Sequence, residues 1–293
     1  GGAAEIDKAH EQSHSVNARR TAGRERKQAT YVDILRKVAA ADAKAAQVLT
    51  YYEKHNLPFA GDFHQISNDR KEIRGNLGDK IAVFYADGNS FSRFNRVESA
   101  TALEAWDVKI KHLRGTLLAR LLDVVHPTDD DTRIRIETLL WGGDELIFVL
   151  PAWKGIEFAE IFFETTKSKH WEHNGKRLTH AVGLVFCHHN APIQPIQALA
   201  RRLGDIGKSK AGRDVNSINC VVLESFDHTG LDWDAYLARI SANTINAEMR
   251  VLRDDVFTQL VERLQQIKAP DGLPRSRLYA YLRDVLDAER QGK

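Results

Sequence analysis

Residues 139–150, LLWGGDELIFVL, constrain this chain more than any other stretch. Apolar residues alternate around a glycine pair: Ile134, Ile136 and Leu140 come before it, and Leu146, Phe148 and Leu150 after it. Period-2 patterning interrupted by two glycines is the mark of a β-hairpin. Its tip is Gly142-Gly143, with Asp144 and Glu145 just past it. Glycine admits positive φ and lets a ligand approach the backbone closely. Carboxylates at such a tip suit a hard divalent cation that shares its oxygen ligands with substrate phosphate. Taken alone, the motif is explained equally well by an ordinary turn with solvated acids.

A second acid adds weight. Residues 80–91, KIAVFYADGNSF, are a β-branched and aromatic run that ends in Asp87-Gly88-Asn89-Ser90. A strand that stops at an acid, then a glycine, then a potential helix N-cap (Asn89 or Ser90) can seat phosphate. The acid holds a metal, and free N–H groups at the helix start face the phosphate oxygens. The plainer alternative is a strand-ending turn with a capping aspartate. If Asp87 ends one strand and Asp144 the neighbouring hairpin, the two carboxylates converge on one metal pair. Ions about 3.5–4 Å apart are a standard device for phosphoryl and nucleotidyl transfer.

Composition sets looser bounds. At 293 residues the chain exceeds the usual size of one domain, and 43% apolar content can fill a real core. A net charge of +2 gives no electrostatic footprint for nucleic acid. Cys187 and Cys220 lie in apolar runs and read as buried thiols, with no zinc-ligand spacing. No apolar stretch approaches 18 residues and no signal peptide is evident, so a soluble, cytoplasmic chain without a membrane partner is expected.

The chain divides into four regions. Residues 1–30 are basic and polar, expected to be loose, and could touch nucleic acid or an acidic partner, although such charge is more often a solvated face. Residues 31–78 hold a helix over about 28–54, with Ile34, Val38, Ala41, Ala45 and Val48 at helical spacing, and then a loop. Residues 79–226 form the main α+β domain. It has a strand at 80–86, a long helix over about 97–125, a hairpin at 132–150 and a helix over about 155–170. A strand at 179–188, a proline-initiated helix to about 210 and a last strand at 217–223 complete it. The long helix carries the stripe Leu103, Trp106, Ile110, Leu113, Leu117 and Leu121, so Trp106 reads as core. Asp129 to Asp131 read as a solvated loop. The order βαββαβ plus a further αβ is ferredoxin-like, with helices on one face of an antiparallel sheet, and it places Asp87 beside Asp144. Residues 227–293 are expected to be helical and to bundle with the N-terminal helix, with Trp233 and Tyr279 in the core. Lys208 and Lys210 close the helix of the last αβ unit, where the macrodipole favours cations whatever their function.

Asp87 at a strand end, the hairpin 142–145 and the segment 207–214 (GKSKAGRD) together resemble the palm domain of two families. These are the GGDEF diguanylate cyclases and the polymerase subunit of type III CRISPR complexes. The segment 181–203, AVGLVFCHHNAPIQPIQALARRL, is more similar to the CRISPR branch, and the DxDxFK pattern typical of diguanylate cyclases is missing. The likeness spans about half the chain. It includes a single palm without His-Asp nuclease or zinc motifs, as in a compact relative or an excised fragment. The resemblance implies that Asp87 and Asp144 bind Mg²⁺ (or Mn²⁺), completed by the carbonyl of Gly88, with Glu145 as a metal ligand or a support behind the ligands. It further implies that Gly142 and Gly143 line the nucleotide, that the backbone of Asn89, Ser90 and Phe91 meets phosphates, and that Lys208 holds the triphosphate. His188 and His189 match the family pattern and read as structural.

The chemistry implied by the resemblance is nucleotidyl transfer from nucleoside triphosphates, ATP favoured over GTP. The expected product is a cyclic oligonucleotide or dinucleotide second messenger in anti-phage signalling, read by a downstream effector. One palm per chain favours a homo-oligomer. A diguanylate or mononucleotide cyclase, and a non-catalytic nucleotide-sensing palm, are the competing readings.

Overall fold

The computed structural model describes residues 14–55, 58–68, 77–91, 99–127, 133–142, 144–224, 232–242, 251–269 and 272–290. Gly143 and Asp129 to Asp131 lie outside the described residues. At the centre is β1 (Lys80–Gly88), whose residues Ile81 to Ala86 are all buried. A strand apolar at consecutive positions must be covered on both faces, which makes it an interior strand. It pairs antiparallel with β3 (Glu145–Pro151) on one side and β6 (His180–His188) on the other. β2 (Glu137–Trp141) lies outside β3, with a register shift between Thr138 and Leu140. β7 (Ser217–Val222) runs parallel to β6, and β8 (Val251–Arg253) closes that edge antiparallel to β7. The order β2-β3-β1-β6-β7-β8 contains the ferredoxin-like core as expected. Two expectations are corrected: the sheet is not antiparallel throughout, and residues 217–223 are not its last strand. The three-residue β8 is too short to carry a period-2 signal.

Helices cover both faces, not one. On the first face, α4 (Ala100–Val124) and α5 (Gly155–Thr166) pack on Ala82, Phe84, Leu146, Phe148, Val182 and Leu184. Phe84, Phe148, Phe158 and Phe162 meet edge-on or tilted, with centroids 5.1–5.5 Å apart. Each such pair adds about 0.5–1.5 kcal/mol beyond area burial. On the other face α6 (Ile193–Ala211) covers Val83, Tyr85, Val185 and Val221. The connections β3–α5–β6 and β6–α6–β7 join parallel strands and advance in the same direction across the sheet, yet their helices lie on opposite faces. The two crossovers therefore have opposite hands, a departure from a rule obeyed in about 98% of cases. Gly183 makes the α6 face possible: a Cβ there would lie 1.9 Å from the Ala200 carbonyl oxygen, so helix and strand touch backbone to backbone.

The N-terminal region is helical from His14 and is divided in two. α1 (His14–Ala39) and α2 (Ala43–His55) are separated by a break at Asp42, whose carboxylate accepts from Ala45 N (2.9 Å) and pairs with Arg120 (2.9 Å). Ala41 falls in that break and is exposed, against expectation, while Val38, Ala45 and Val48 are buried. Asp62 caps a short α3 (Phe63–Ser67) inside the expected loop. Helix α4 opens at Ser99, which accepts from Ala102 N (3.2 Å). Its first turn overhangs the core, leaving Leu103 44% exposed, and burial begins at Trp106. A two-stranded ribbon, β4 (Glu172–His173) with β5 (Lys176–Arg177), turns at Asn174-Gly175, both at positive φ.

Residues 232–290 contribute α7 (Trp233–Ala242), β8, α8 (Asp254–Lys268) and α9 (Arg275–Arg290). Among the described residues they do not bundle with the N-terminal helices as expected: α1 and α2 pack on α4, whereas α8 packs on α5, β7 and β8. Tyr279 is 70% exposed, and no described side chain of α9 belongs to either core cluster; Trp233 is half-buried. Cys187 is buried and free, and burial pushes its thiol up to about 12. No helix among the described residues is long and apolar enough to cross a membrane.

Candidate active site at the end of the central strands

β1 and β3 end side by side. Asp87 pairs in register with Glu145, and one step further Gly88 N donates to the Asp144 carbonyl (3.0 Å). Two carboxylates from different strands are thereby fixed at one sheet end. The hairpin tip is pinned as well: Gly142 N donates to Glu145 O (3.0 Å), which keeps Asp144 at the mouth of the turn.

Each acid has its own cation. Lys208, from the last turn of α6, donates to Asp87 Oδ2, and both side chains are nearly covered, 11% and 14% exposed. Arg201 Nη1 donates to both oxygens of Glu145 (2.9 and 3.1 Å), and Tyr85 Oη donates to Oε1 (3.1 Å). Arg201 and Lys208 are seven residues apart, two turns of helix, so they point the same way. Arg114 of α4 donates to the Gly142 carbonyl, lies 4.8 Å over the Trp141 ring and feels the Asp144 charge. Burial holds its guanidinium down to about 10. Burial raises the Asp87 carboxyl above the usual range, Lys208 opposes this, and the Asp144 charge adds to the rise. Carboxylate and carbonyl oxygens of this kind are the donors that Mg²⁺ or Mn²⁺ takes. Among the described residues no three His, Cys, Asp or Glu side chains form a ready-made metal centre. Asp87 and Asp144 would thus be completed by backbone carbonyl, water and phosphate, the arrangement Mg²⁺ commonly adopts.

The segment after Asp87 departs from expectation. Asn89 and Ser90 do not cap α4, which begins twelve residues beyond Gly88 under Ser99. Asn89 N donates to Thr179 O (2.8 Å), so it is not a free phosphate donor. The Asn89 side chain is buried and bonds Thr179 Oγ1 and Val215 O, both at 3.1 Å. Ser90 turns the chain at φ 61°. Phe91 folds back over Gly88, where any Cβ would lie 2.6 Å from the ring, and wedges between Trp106 and His180. These residues anchor the turn that carries Asp87.

Sequence reasoning missed Tyr85, Arg114, Arg201 and the polar layer beneath the site. Arg114 had a signal: it falls on the apolar stripe of α4, one turn from Ile110. Arg201 had its seven-residue spacing from Lys208. The layer beneath had none, because it joins distant segments: His180 N donates to Asn216 Oδ1 (2.8 Å), and Asn216 donates to Asp254 (3.0 Å) at the start of α8. His180 is fully buried among Phe91, Phe162 and Trp171, which pushes it down to about 3 and keeps it neutral. His188 pairs with Lys80 at the far end of β6, and His189 comes next in the chain, away from the acids.

No protein-family model and no curated protein matches the chain. Among solved structures it is similar to Csm1 of T. onnurineus, with a TM-score of 0.43 and 19% identity over 77% of this chain and 34% of that one. It is also similar to the active GGEEF domain of a diguanylate cyclase from Vibrio cholerae (TM-score 0.36, 16% identity, 50% and 85% covered). A third is the diguanylate cyclase SiaD of Pseudomonas aeruginosa, solved with its activator SiaC (TM-score 0.37, 13% identity, 71% and 79% covered). The chain spans about a third of the Csm1 length. Likeness at this level describes an arrangement of elements and leaves chemistry to the residues.

Proposed function

We propose that this protein is a metal-dependent nucleotidyltransferase that joins nucleoside triphosphates, ATP favoured, into a cyclic oligonucleotide or dinucleotide and releases pyrophosphate. One observation carries the reading: Asp87 and Asp144 stand at adjacent strand ends, and Lys208 reaches Asp87. A divalent ion bound by Asp87 and Asp144 would supply the charge that lowers the pKa of a ribose hydroxyl and steadies the leaving pyrophosphate. The other residues bind and position. Lys208 exchanges Asp87 for the triphosphate, and Arg201 with Tyr85 holds the Glu145 carboxylate to one side. Arg114 fixes the Gly142 carbonyl and with it the hairpin tip. His180 remains neutral beneath the cations and adds no positive charge.

A single palm needs a second copy, or a second pass through one site, to close a ring, which favours a homo-oligomer as the active form. Signalling against phage, through an effector that binds the product, rests on the family resemblance alone. The test is to incubate the protein with each labelled nucleoside triphosphate and Mg²⁺ or Mn²⁺ and to resolve the products. Cyclic adenylates support the reading, and a guanylate dinucleotide made from GTP alone replaces it with a diguanylate cyclase. Turnover of no triphosphate with either ion overturns it. Mass photometry that finds only monomer at full activity removes the oligomer.

A further inference from the structure

We propose that Lys208 stands in for the divalent ion on Asp87 and makes occupation of the metal site conditional on a triphosphate. The inference rests on the reading of the site as a nucleotidyltransferase. The Asp87–Lys208 pair is nearly dry, so a cation reaching Asp87 displaces an ammonium and not merely water. Two other described cations nearby are committed elsewhere. Arg201 neutralises Glu145, and Arg114 is held on the Gly142 carbonyl and the Trp141 ring. Lys208 is thus the cation that balances Asp87, whose carboxylate also feels Asp144.

Small residues on α6 press the helix against the sheet: a Cβ on Gly204 would lie 2.8 Å from the Tyr85 ring, and one on Gly207 2.9 Å from Ser217 Oγ. The stem of Lys208 starts from a fixed backbone, and its ammonium is a point charge on a flexible chain that can change partner without moving the helix. If it left alone, it would strand a buried carboxylate without a counter-charge, which is costly. A triphosphate offers it an anion while the divalent ion takes its place on Asp87. The two ligands must then favour each other, and such coupling is reciprocal.

The experiment titrates Mn²⁺ without nucleotide, following the free-ion EPR signal, in the parent, Lys208→Met, Lys208→Gln and Lys208→Met/Asp87→Asn. Circular dichroism and melting verify each fold. With Lys208 neutralised, Mn²⁺ should bind at least about tenfold more tightly than in the parent, within the usual range of coupling. The double variant should lose that gain. An ATP analogue that cannot react should tighten Mn²⁺ binding in the parent at least about tenfold more than in Lys208→Met, and equal tightening in both would overturn the coupling. If both folded single variants bind Mn²⁺ no more tightly than the parent, the proposal is overturned while the nucleotidyltransferase reading stands. If Asp87→Asn still forms product at the parent rate, the reading of the site fails and the proposal fails with it.

Discussion

Gly183→Ala probes the contact that brings α6 to the acids. A Cβ at 183 would sit 1.9 Å from the Ala200 carbonyl oxygen, 2.8 Å from its carbon and 3.1 Å from Gly204 N. Ordinary contact starts at 3.4 Å, so the closest approach is short by 1.5 Å. All three atoms are backbone, and no side chain can rotate away. The helix must lift, loosening Leu199, Ala200 and Leu203 from the sheet. Overpacking of this sort costs about 1–3 kcal/mol, and with no soft neighbour the upper figure applies. At about 2–4 °C per kcal/mol for a chain of this size, Tm should fall by about 6–12 °C in a calorimetric scan. Gly204→Ala is the control. Its Cβ meets the Tyr85 ring at 2.8 Å, a side chain and not backbone, and alanine regains about 1 kcal/mol of helix propensity. Gly183→Ala melting within about 2 °C of the parent, or above Gly204→Ala, would refute the packing of α6 on β6.

Two further outcomes concern the groups around the acids. His180 is held near pKa 3 in the folded protein against about 6.5 when unfolded. Between those values the unfolded chain binds a proton that the folded one does not, so stability falls as pH falls, by up to about 1.4 kcal/mol per unit. His180→Phe keeps the ring among its aromatic neighbours, and urea titrations at pH 7.5 and pH 5 should lose about 2 kcal/mol of their difference. An unchanged difference would place the acid sensitivity elsewhere. Arg114→Met removes the donor to the Gly142 carbonyl and the cation over Trp141, and should lower product formation at least about tenfold. Arg114→Lys should recover only part of this, because an ammonium cannot reproduce the flat stacked guanidinium; full recovery would mean that charge alone matters.

The meeting of Asp87 and Asp144 was legible because one falls at the end of β1 and the other just before β3, and strand ends are set by periodicity; Lys208 falls in the last turn of α6 by the same reasoning. The strand order was legible for the same reason. The face chosen by α6 was not: an amphipathic helix must bury its stripe, but the stripe does not say on which side of a strand buried on both. That choice is written in Gly183, where strand and helix meet backbone to backbone, and in Gly204 and Gly207, where the Tyr85 and Ser217 side chains close on the helix. Asn89 misled because the same side chain serves a capped helix and a buried turn, and its partners Thr179 and Val215 are 90 and 126 residues away. Tyr279 misled because α9 has an apolar pattern, yet none of its described side chains joins the core. β8 and the Asp254–Asn216–His180 chain depend on contacts that no local pattern records.

The most direct test is product formation by Asp144→Asn, compared with the parent at equal protein and saturating Mg²⁺. The Asp144 carbonyl that accepts from Gly88 N is unchanged in this variant, so the hairpin stays in register and only the carboxylate charge is lost. If Asp144 and Asp87 share the ion that drives nucleotidyl transfer, the rate should drop at least about a hundredfold, roughly 2.7 kcal/mol of transition-state stabilisation, with Tm little changed. A folded Asp144→Asn protein that retains half or more of the parent rate would contradict the assignment of this sheet end as the catalytic site.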